Sequence, residues 1–442
     1  MRSGRKWCSV GASVLLAISL PVLVSSGNSV AQQDDPSANA ASKQEWVGSW
    51  ATAVTAAEPA ATHISRAGFN NQSVRMIVHL SVGGEQLRVR LSNIFGEGAQ
   101  TIGAASVALP DLNTTRGWDF IASTQRTLTF NGRTSFTMLK GQELLSDPVD
   151  LEVGDLQEVV VTVFYPAPSG PLSWHATSQS SVFSGPGNLS ADAIGAGFTT
   201  RRNCCWFTVS GVDVLRRKAE GSVVVLGDSL GDANGSTLNA NKRWSDLLAQ
   251  RLIEAHRNGK SPAVLNASLS GNRLNHEGAE PGAGGFPGFV QLGTNAGARL
   301  NEDVFEQTGV DTVIFDVGIN DIWMNGDSAD AIIDSIRQAG AQVRERGIRF
   351  VVATLGPFQG FAVNPSAPAG EWTPEKEATR LAVNDFLRSS GEFDGVIDFD
   401  EVLRDPANPS RLRAEFDFGD HIHPNDAGNQ AMADAVPLGL LD

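Results

Sequence analysis

Residues 222–236 read SVVVLGDSLGDANGS. The apolar run Val223–Leu226 ends in a tight polar turn, Gly227-Asp228-Ser229-Leu230-Gly231. A short apolar run bounded by turn residues reads as a strand buried on both faces. Ser229 then stands just past the strand's carboxyl end. In a parallel sheet covered by helices, that is where reacting groups collect. The spacing Gly227-x-Ser229-x-Gly231 also fits a nucleophile elbow. A polar turn is often no more than a turn, so the role of Ser229 depends on what the rest of the chain supplies.

Downstream, short apolar runs alternate with amphipathic segments. The later runs are Ala263–Leu269, Thr312–Val317, Phe350–Leu355 and Val396–Phe399. Between them, Trp244, Leu247, Leu248, Leu252 and Ile253 trace one helical face, and Ala331, Ile332, Ile336 and Val343 another. Thr373-Pro374 supplies an N-cap and an N1 proline for a helix carrying Ala378, Leu381 and Leu387. Buried strands alternating with helices predict an α/β region over 216–442 built on a doubly wound, flavodoxin-like parallel sheet.

Upstream the period changes. Val74, Met76, Val78, Leu80 and Val82 alternate with polar positions, Gly83-Gly84 turns the chain, and Leu87, Val89 and Leu91 alternate again. This predicts a β-hairpin with one buried face. RTLTFNGRTSFTML repeats the idea around Asn131-Gly132, and LQEVVVTVFYPAP reads as a strand ended by prolines. Residues 45–215 are expected to form an all-β sandwich domain.

At the N-terminus, Arg2, Arg5 and Lys6 precede an apolar stretch, Val10–Val24, and SVA ends at Ala31. This predicts a cleaved signal peptide over 1–31, a flexible polar leader over 32–44, and a secreted, extracellular or periplasmic protein. The whole chain carries 34 Lys+Arg against 49 Asp+Glu. Cleavage removes three cations and no acid, taking the net charge from −15 to −18. Such a chain repels nucleic acid and anionic lipid surfaces. No membrane span is expected in the mature chain. Its cysteines are the neighbours Cys204 and Cys205, which fit no metal-ligand spacing. They are open to a vicinal disulfide, free thiols or pairing between chains.

Two further blocks carry chemistry. Gly318-Ile319-Asn320-Asp321 follows the third apolar run. It reads either as an Asx turn or as a loop presenting the Asn320 amide as an oxyanion donor. Near the end of the chain, Asp420 and His423 stand three apart, with Pro424 placed to open a terminal helix at N1. Asp420 there could orient the His423 ring and leave its other nitrogen as base for Ser229. The alternative is a surface histidine beside a helix cap. His421, the immediate neighbour of Asp420, is the rival base but is less naturally oriented by that acid.

The order of the blocks is informative. Gly-Asp-Ser-Leu follows the first strand, Ser270-Gly271-Asn272-Arg273 the second and Gly-x-Asn-Asp the third. Asp-x-x-His-Pro precedes the last helix. This pattern resembles the SGNH/GDSL hydrolase superfamily over about residues 220–442, with no departure at the four blocks. In an α/β-hydrolase the nucleophile follows several strands, and acid and histidine come from separate loops. The Gly-x-Ser-x-Gly match is therefore coincidental. The resemblance implies a serine esterase. Ser229 would be nucleophile and, through its N–H, first oxyanion donor. The Gly271 N–H and the Asn320 side chain would be the other two donors, His423 the base and Asp420 its orienting acid. WVGSWATAV (46–54), CCWFTVSGVDVL (204–215) and SGNRLNHEG (270–278) are similar to a group of secreted bacterial members with a leading β-domain, some compared with xylan-debranching esterases.

The implied reaction needs no metal or cofactor. Asn272, Arg273 and Trp323 adjoin the motifs and are candidate pocket residues. The loops 278–288 and 357–374, with Phe358, Phe361 and Trp372, are candidate rims. Three functions stand: an acylesterase or lipase on small acyl or lipid esters, a deacetylase of acetylated carbohydrate, and an inert binding protein.

Overall fold

The strand containing Val223–Leu226 runs from Ser222 to Gly227 and lies inside a sheet of five strands, all of it buried. The computed structural model describes residues 44–441 apart from 218, 219, 257, 258, 367 and 369. The expected signal peptide and leader thus lie essentially outside the described residues. In the sheet, Ser222–Gly227 pairs in parallel with Ala263–Asn266 on one side and Val310–Asp316 on the other. Arg349–Ala353 and Gly395–Ile397 extend it, also in parallel. Numbered along the chain, the order is 2-1-3-4-5, the doubly wound flavodoxin-like arrangement. Val223, Val224, Val225 and Leu226 are fully buried, as a strand covered on both faces requires.

The helices Trp244–Ala255, Ala329–Glu345, Pro374–Ser389 and Asp426–Ala435 follow the expected segments. Thr373 caps its helix by accepting from the Lys376 N–H, with Pro374 in the first turn. The buried face of that helix differs from the apolar reading. Leu381 is 45% exposed, while Arg380 and Asn384 are fully buried. Arg380 pairs with Glu377 at 2.6 Å and with the buried Asp400 at 2.5 Å, and it donates to the Leu355 carbonyl at 2.8 Å. A buried carboxylate needs a cation, so the helix turns its charged side inward. Pro424 does not occupy the first turn of the last helix. It precedes the cap Asn425, whose side chain accepts from the Ala427 and Gly428 N–H groups.

The N-terminal half is mostly antiparallel strands. One sheet has four strands, ordered Gln44–Ala51, Val209–Arg217, Gln86–Ser92, Glu143–Leu145. Another has six, ordered Thr200–Asn203, Ser181–Pro186, Gln72–His79, Glu158–Tyr165, Ala104–Ala108, Arg126–Thr127. Alternate residues of both, such as Val74, Met76 and Val161 of one and Leu87, Val89 and Val212 of the other, share one apolar cluster.

The expected hairpin around Gly83-Gly84 is not formed. Gln72–His79 pairs with Glu158–Tyr165 and Ser181–Pro186, whereas Gln86–Ser92 pairs with Val209–Arg217 and Glu143–Leu145. The two glycines instead carry the chain from one sheet to the other. A Cβ on Gly83 would sit 2.3 Å from the Val153 carbonyl oxygen, and one on Gly84 2.7 Å from that of Leu215. Only glycine permits this approach. Around Asn131-Gly132 a tight turn does form, with φ of 52° and 74° and a Phe130–Arg133 bridge. Its flanks then leave for different partners, Ala104–Ala108 and Gln100–Ile102.

Cys204 and Cys205 are joined as a vicinal disulfide just before the short strand Trp206–Phe207. The described residues lie in a single compact unit, Ser42–Asp442. The Gly48 N–H donates to Thr308 O at 2.8 Å, and the Val264 N–H to Ser81 Oγ at 3.1 Å, joining the antiparallel strands to the parallel sheet. Among the described residues no helix is long and apolar enough to cross a membrane.

Candidate active site

The turn after Ser222–Gly227 is tight because both of its glycines are needed. A Cβ on Gly227 would lie 2.7 Å from Ser268 Oγ, one on Gly231 2.1 Å from it, and either 3.3 Å from the other glycine's Cα. The pinched loop lifts Ser229 to the carboxyl end of the sheet, where it lines a cleft of about 500 Å³.

His423 reaches this serine from the loop before the last helix, with Nε2 2.8 Å from Ser229 Oγ. Its Nδ1 lies 2.6 Å from Asp420 Oδ2. Asp420 Oδ1 also accepts from the backbone N–H groups of His423 at 2.9 Å and Ile422 at 3.2 Å. Burial opposes charge at Asp420, but the His423 contact and these N–H groups outweigh it and hold the carboxyl below its ordinary range. A carboxylate at Nδ1 puts the proton there and leaves Nε2 to accept the serine O–H. His421 is elsewhere: it is exposed, at φ 71°, with Nδ1 2.6 Å from Asp417 Oδ2.

Ser229 and Gly271 both line the cleft. Among the described residues, neither the Ser229 nor the Gly271 N–H has a protein acceptor. Gly271 sits at φ 76°, and a Cβ there would lie 2.5 Å from Leu292 Cδ2, so the position calls for glycine. Asn320 also lines the cleft. Its Nδ2 donates to Asp228 Oδ2 at 3.0 Å and to the Asn272 carbonyl at 2.9 Å, and its Oδ1 accepts from Trp323 Nε1 at 2.7 Å. Asp228 and Asp316 are buried behind the serine. Burial and the neighbouring Asp316 lift the Asp228 carboxyl well above its ordinary range, and burial pushes Asp316 to about 7.

Of the three candidate pocket residues, only Trp323 lines the cleft. The Asn272 side chain is fully buried, donating to Leu292 O and Thr294 O at 2.8 Å each and accepting from Arg299 Nε at 2.9 Å. Arg273 is buried as well, donating to Asn325 Oδ1 at 3.0 Å and to the carbonyls of Glu277 and Glu280. Both act inside the loop that carries Gly271, where a buried polar side chain must find partners. Phe286, Trp323 and Phe361 form an aromatic wall, with ring centroids 5.5 Å and 5.1 Å apart. Phe358 lies in the core instead, and the partly buried Trp372 packs against it. Phe289 lines the cleft beside them, and His175, Ala176 and Thr177 of the N-terminal half form another part of the wall. No motif pointed to that last segment, because the other residues of the cleft, from Ser229 onward, lie more than fifty residues further along the chain.

His276, Asp321 and Asp327 bring donor atoms within 4.8 Å of one another, the one such group among the described residues. Asp321 is already committed to the N–H groups of Leu274 and Asn275, both at 2.8 Å, and His276 to Asp327 at 3.0 Å. The group braces the Gly271 loop.

A serine hydroxyl, an imidazole, a carboxylate and two backbone N–H groups thus converge on one cleft. Residues 225–431 match the model of the GDSL-like lipase/acylhydrolase family. Over those residues the chain is similar to that family of lipases and acylhydrolases. No curated protein matches the chain. Among solved structures, a lipolytic protein of the G-D-S-L family from Desulfitobacterium hafniense DCB-2 is 18% identical, with 49% of this chain and 97% of that one covered and a TM-score of 0.34. The native aryl esterase of M. smegmatis is 18% identical, covering 49% and 95%, with a TM-score of 0.37. The acetyl xylan esterase AlAXEase is 17% identical, covering 48% and 96%, with a TM-score of 0.33.

Proposed function

We propose that the protein is a secreted serine esterase that cleaves carboxylic esters through an acyl-enzyme, with the antiparallel strands as a β-sandwich domain ahead of the hydrolase domain. The observation that carries this reading is the unbroken chain from Ser229 Oγ through His423 to Asp420, opening onto a cleft with two unpaired backbone N–H groups. Ser229 Oγ attacks the ester carbonyl while His423 Nε2 takes its proton. The N–H groups of Ser229 and Gly271 hold the oxyanion, joined by Asn320 once one of its two amide N–H bonds is released from Asp228 or the Asn272 carbonyl. His423 passes the proton to the departing alkoxide as the ester C–O bond breaks. Water, deprotonated by His423, then frees the acid and restores the serine.

The apolar lining by Phe286, Phe289, Trp323 and Phe361 favours an acyl chain longer than acetate over the carbohydrate deacetylase reading. Export rests on the charged and apolar pattern of residues 1–31. The deciding experiment compares p-nitrophenyl acetate, butyrate and octanoate with acetylated xylan. We expect kcat/KM to rise from acetate to butyrate and acetate release from xylan to be slow. Preference for xylan would establish the deacetylase, and no turnover of any ester would leave the inert binder.

A further inference from the structure

We propose that His175, carried by the antiparallel half, is a positioning residue of the hydrolase site: through Asp232 and Ser270 it aims the Gly271 N–H. The inference rests on the esterase reading and adds a residue that none of the four sequence blocks contains.

His175 is fully buried at the edge of the cleft. Its Nδ1 faces the Ala53 carbonyl at 3.0 Å. Its Nε2 faces the Thr177 carbonyl at 3.1 Å and Asp232 Oδ1 at 3.2 Å. All three are acceptors, so both ring nitrogens must donate, and the ring is an imidazolium. Burial acts against that charge and Arg243 opposes it, while Asp232 favours it and Asp303 lies near enough to feel it. The balance raises the pKa of His175 above its ordinary value.

The other oxygen of Asp232 does a different task. Asp232 Oδ2 accepts from the Ser270 N–H at 2.6 Å and from Ser270 Oγ at 2.8 Å. Ser270 is thereby held at two points, and the next peptide group is the one whose N–H belongs to Gly271. Asp232 also sits in the nucleophile turn, its own N–H donating to Asp228 O at 2.9 Å. One carboxylate therefore joins the serine turn, the Gly271 loop and the antiparallel half. His175 in turn is set by the pairing of Trp174–His175 with Trp206–Phe207, by the Trp206 ring 5.4 Å away, and by a Ser178 N–H bond to the carbonyl of disulfide-bonded Cys204. Without the imidazolium, Asp232 would be a buried carboxylate short of its cation. Its grip on Ser270 would change, and with it the direction of the Gly271 N–H.

The test uses His175→Leu, His175→Gln and Ser270→Ala in the full chain, with p-nitrophenyl butyrate as substrate. Active sites are counted by the burst with a p-nitrophenyl phosphonate, so that kcat is expressed per competent serine. We expect His175→Leu to lower kcat by about 10²-fold with KM within about threefold, the size of effect a small misplacement in a site produces. His175→Gln keeps a donor toward Asp232 and should recover kcat to within about tenfold of wild type. Ser270→Ala, which removes the hydroxyl contacts with Asp232 and Asn234 and keeps the backbone N–H bond, should lower kcat by about 3–10-fold, again without moving KM. A structural role alone predicts a lower melting temperature and fewer competent sites, with kcat per site unchanged. That result in His175→Leu overturns the proposal. If His175→Leu does not fold, wild-type kcat in Ser270→Ala overturns it instead. Ser229→Ala is the control on the underlying reading: turnover surviving there would bring down the esterase assignment, whereas a dead Ser229→Ala beside a fully active His175→Leu would sink this inference alone.

Discussion

The indole Nε1 of Trp323 donates to Asn320 Oδ1 over 2.7 Å. That single bond decides which end of the Asn320 amide is nitrogen, and it turns the nitrogen toward Asp228 and the Asn272 carbonyl. Both amide N–H bonds are thereby engaged, so the proposed donation to an oxyanion requires one of them to leave Asp228 or the Asn272 carbonyl. The same tryptophan forms the aromatic wall, so substrate contact and amide orientation meet in one side chain.

Two variants separate these duties. Asn320→Ala should lower kcat by roughly 10²–10³-fold with little change in KM. Trp323→Phe keeps the ring and loses the N–H, and should lower kcat by only about 3–10-fold, the worth of one hydrogen bond. Steady-state kinetics on p-nitrophenyl butyrate reads both. A pure KM effect in Asn320→Ala would make it a substrate-positioning group.

Ser229→Ala should abolish ester hydrolysis while leaving the fold intact. The side chain is small, and it stands on a turn whose shape is set by Gly227, Gly231 and Ser268. Circular dichroism checks the fold, and near-wild-type turnover would remove Ser229 from the mechanism.

The two histidines should behave differently. His423→Ala is expected to cost several orders of magnitude in kcat. His421→Ala should cost less than about tenfold, roughly 1.4 kcal/mol of barrier, because its ring points to Asp417. The reverse pattern would show that the base has been misassigned.

Stability should fall as pH rises from about 4 to about 7. Burial raises Asp316 from 3.8 to about 7. Between those values the folded state holds a proton that the unfolded chain has lost. The contribution is therefore complete below about pH 4 and is lost as pH rises through about 7. The slope for one such proton is at most about 1.4 kcal/mol per pH unit. Asp316→Asn, neutral at every pH, should flatten the decline between about pH 4 and pH 7 in urea unfolding. Asp228, raised by burial and by Asp316, acts in the same direction. Identical pH dependence in wild type and variant would exclude Asp316 as a source.

Much of this molecule is written locally. The run Val223–Leu226 followed by Gly227-Asp228-Ser229 marks a strand and the turn after it, because a strand with two buried faces must be apolar throughout and its end must be polar. Thr373-Pro374 marks a helix start through capping chemistry that involves only neighbours. Asp420 and His423 meet within one loop, so their spacing already carried the contact. Partner choice is another matter. Alternation at Val74–Val82 and Leu87–Leu91 states which face is apolar, but it is satisfied equally by pairing the two strands or by placing them in separate sheets around one core. The close approach at Gly83 and Gly84 settled it. Asn272 and Arg273 look like pocket residues beside Gly271, yet their hydrogen bonds are to buried loop carbonyls that appear as partners only when the chain is folded. His175 and Asp232 belong to segments with no shared periodicity or spacing. They meet because two hydrophobic surfaces, each readable along the chain, pack in an arrangement that depends on the shape of both.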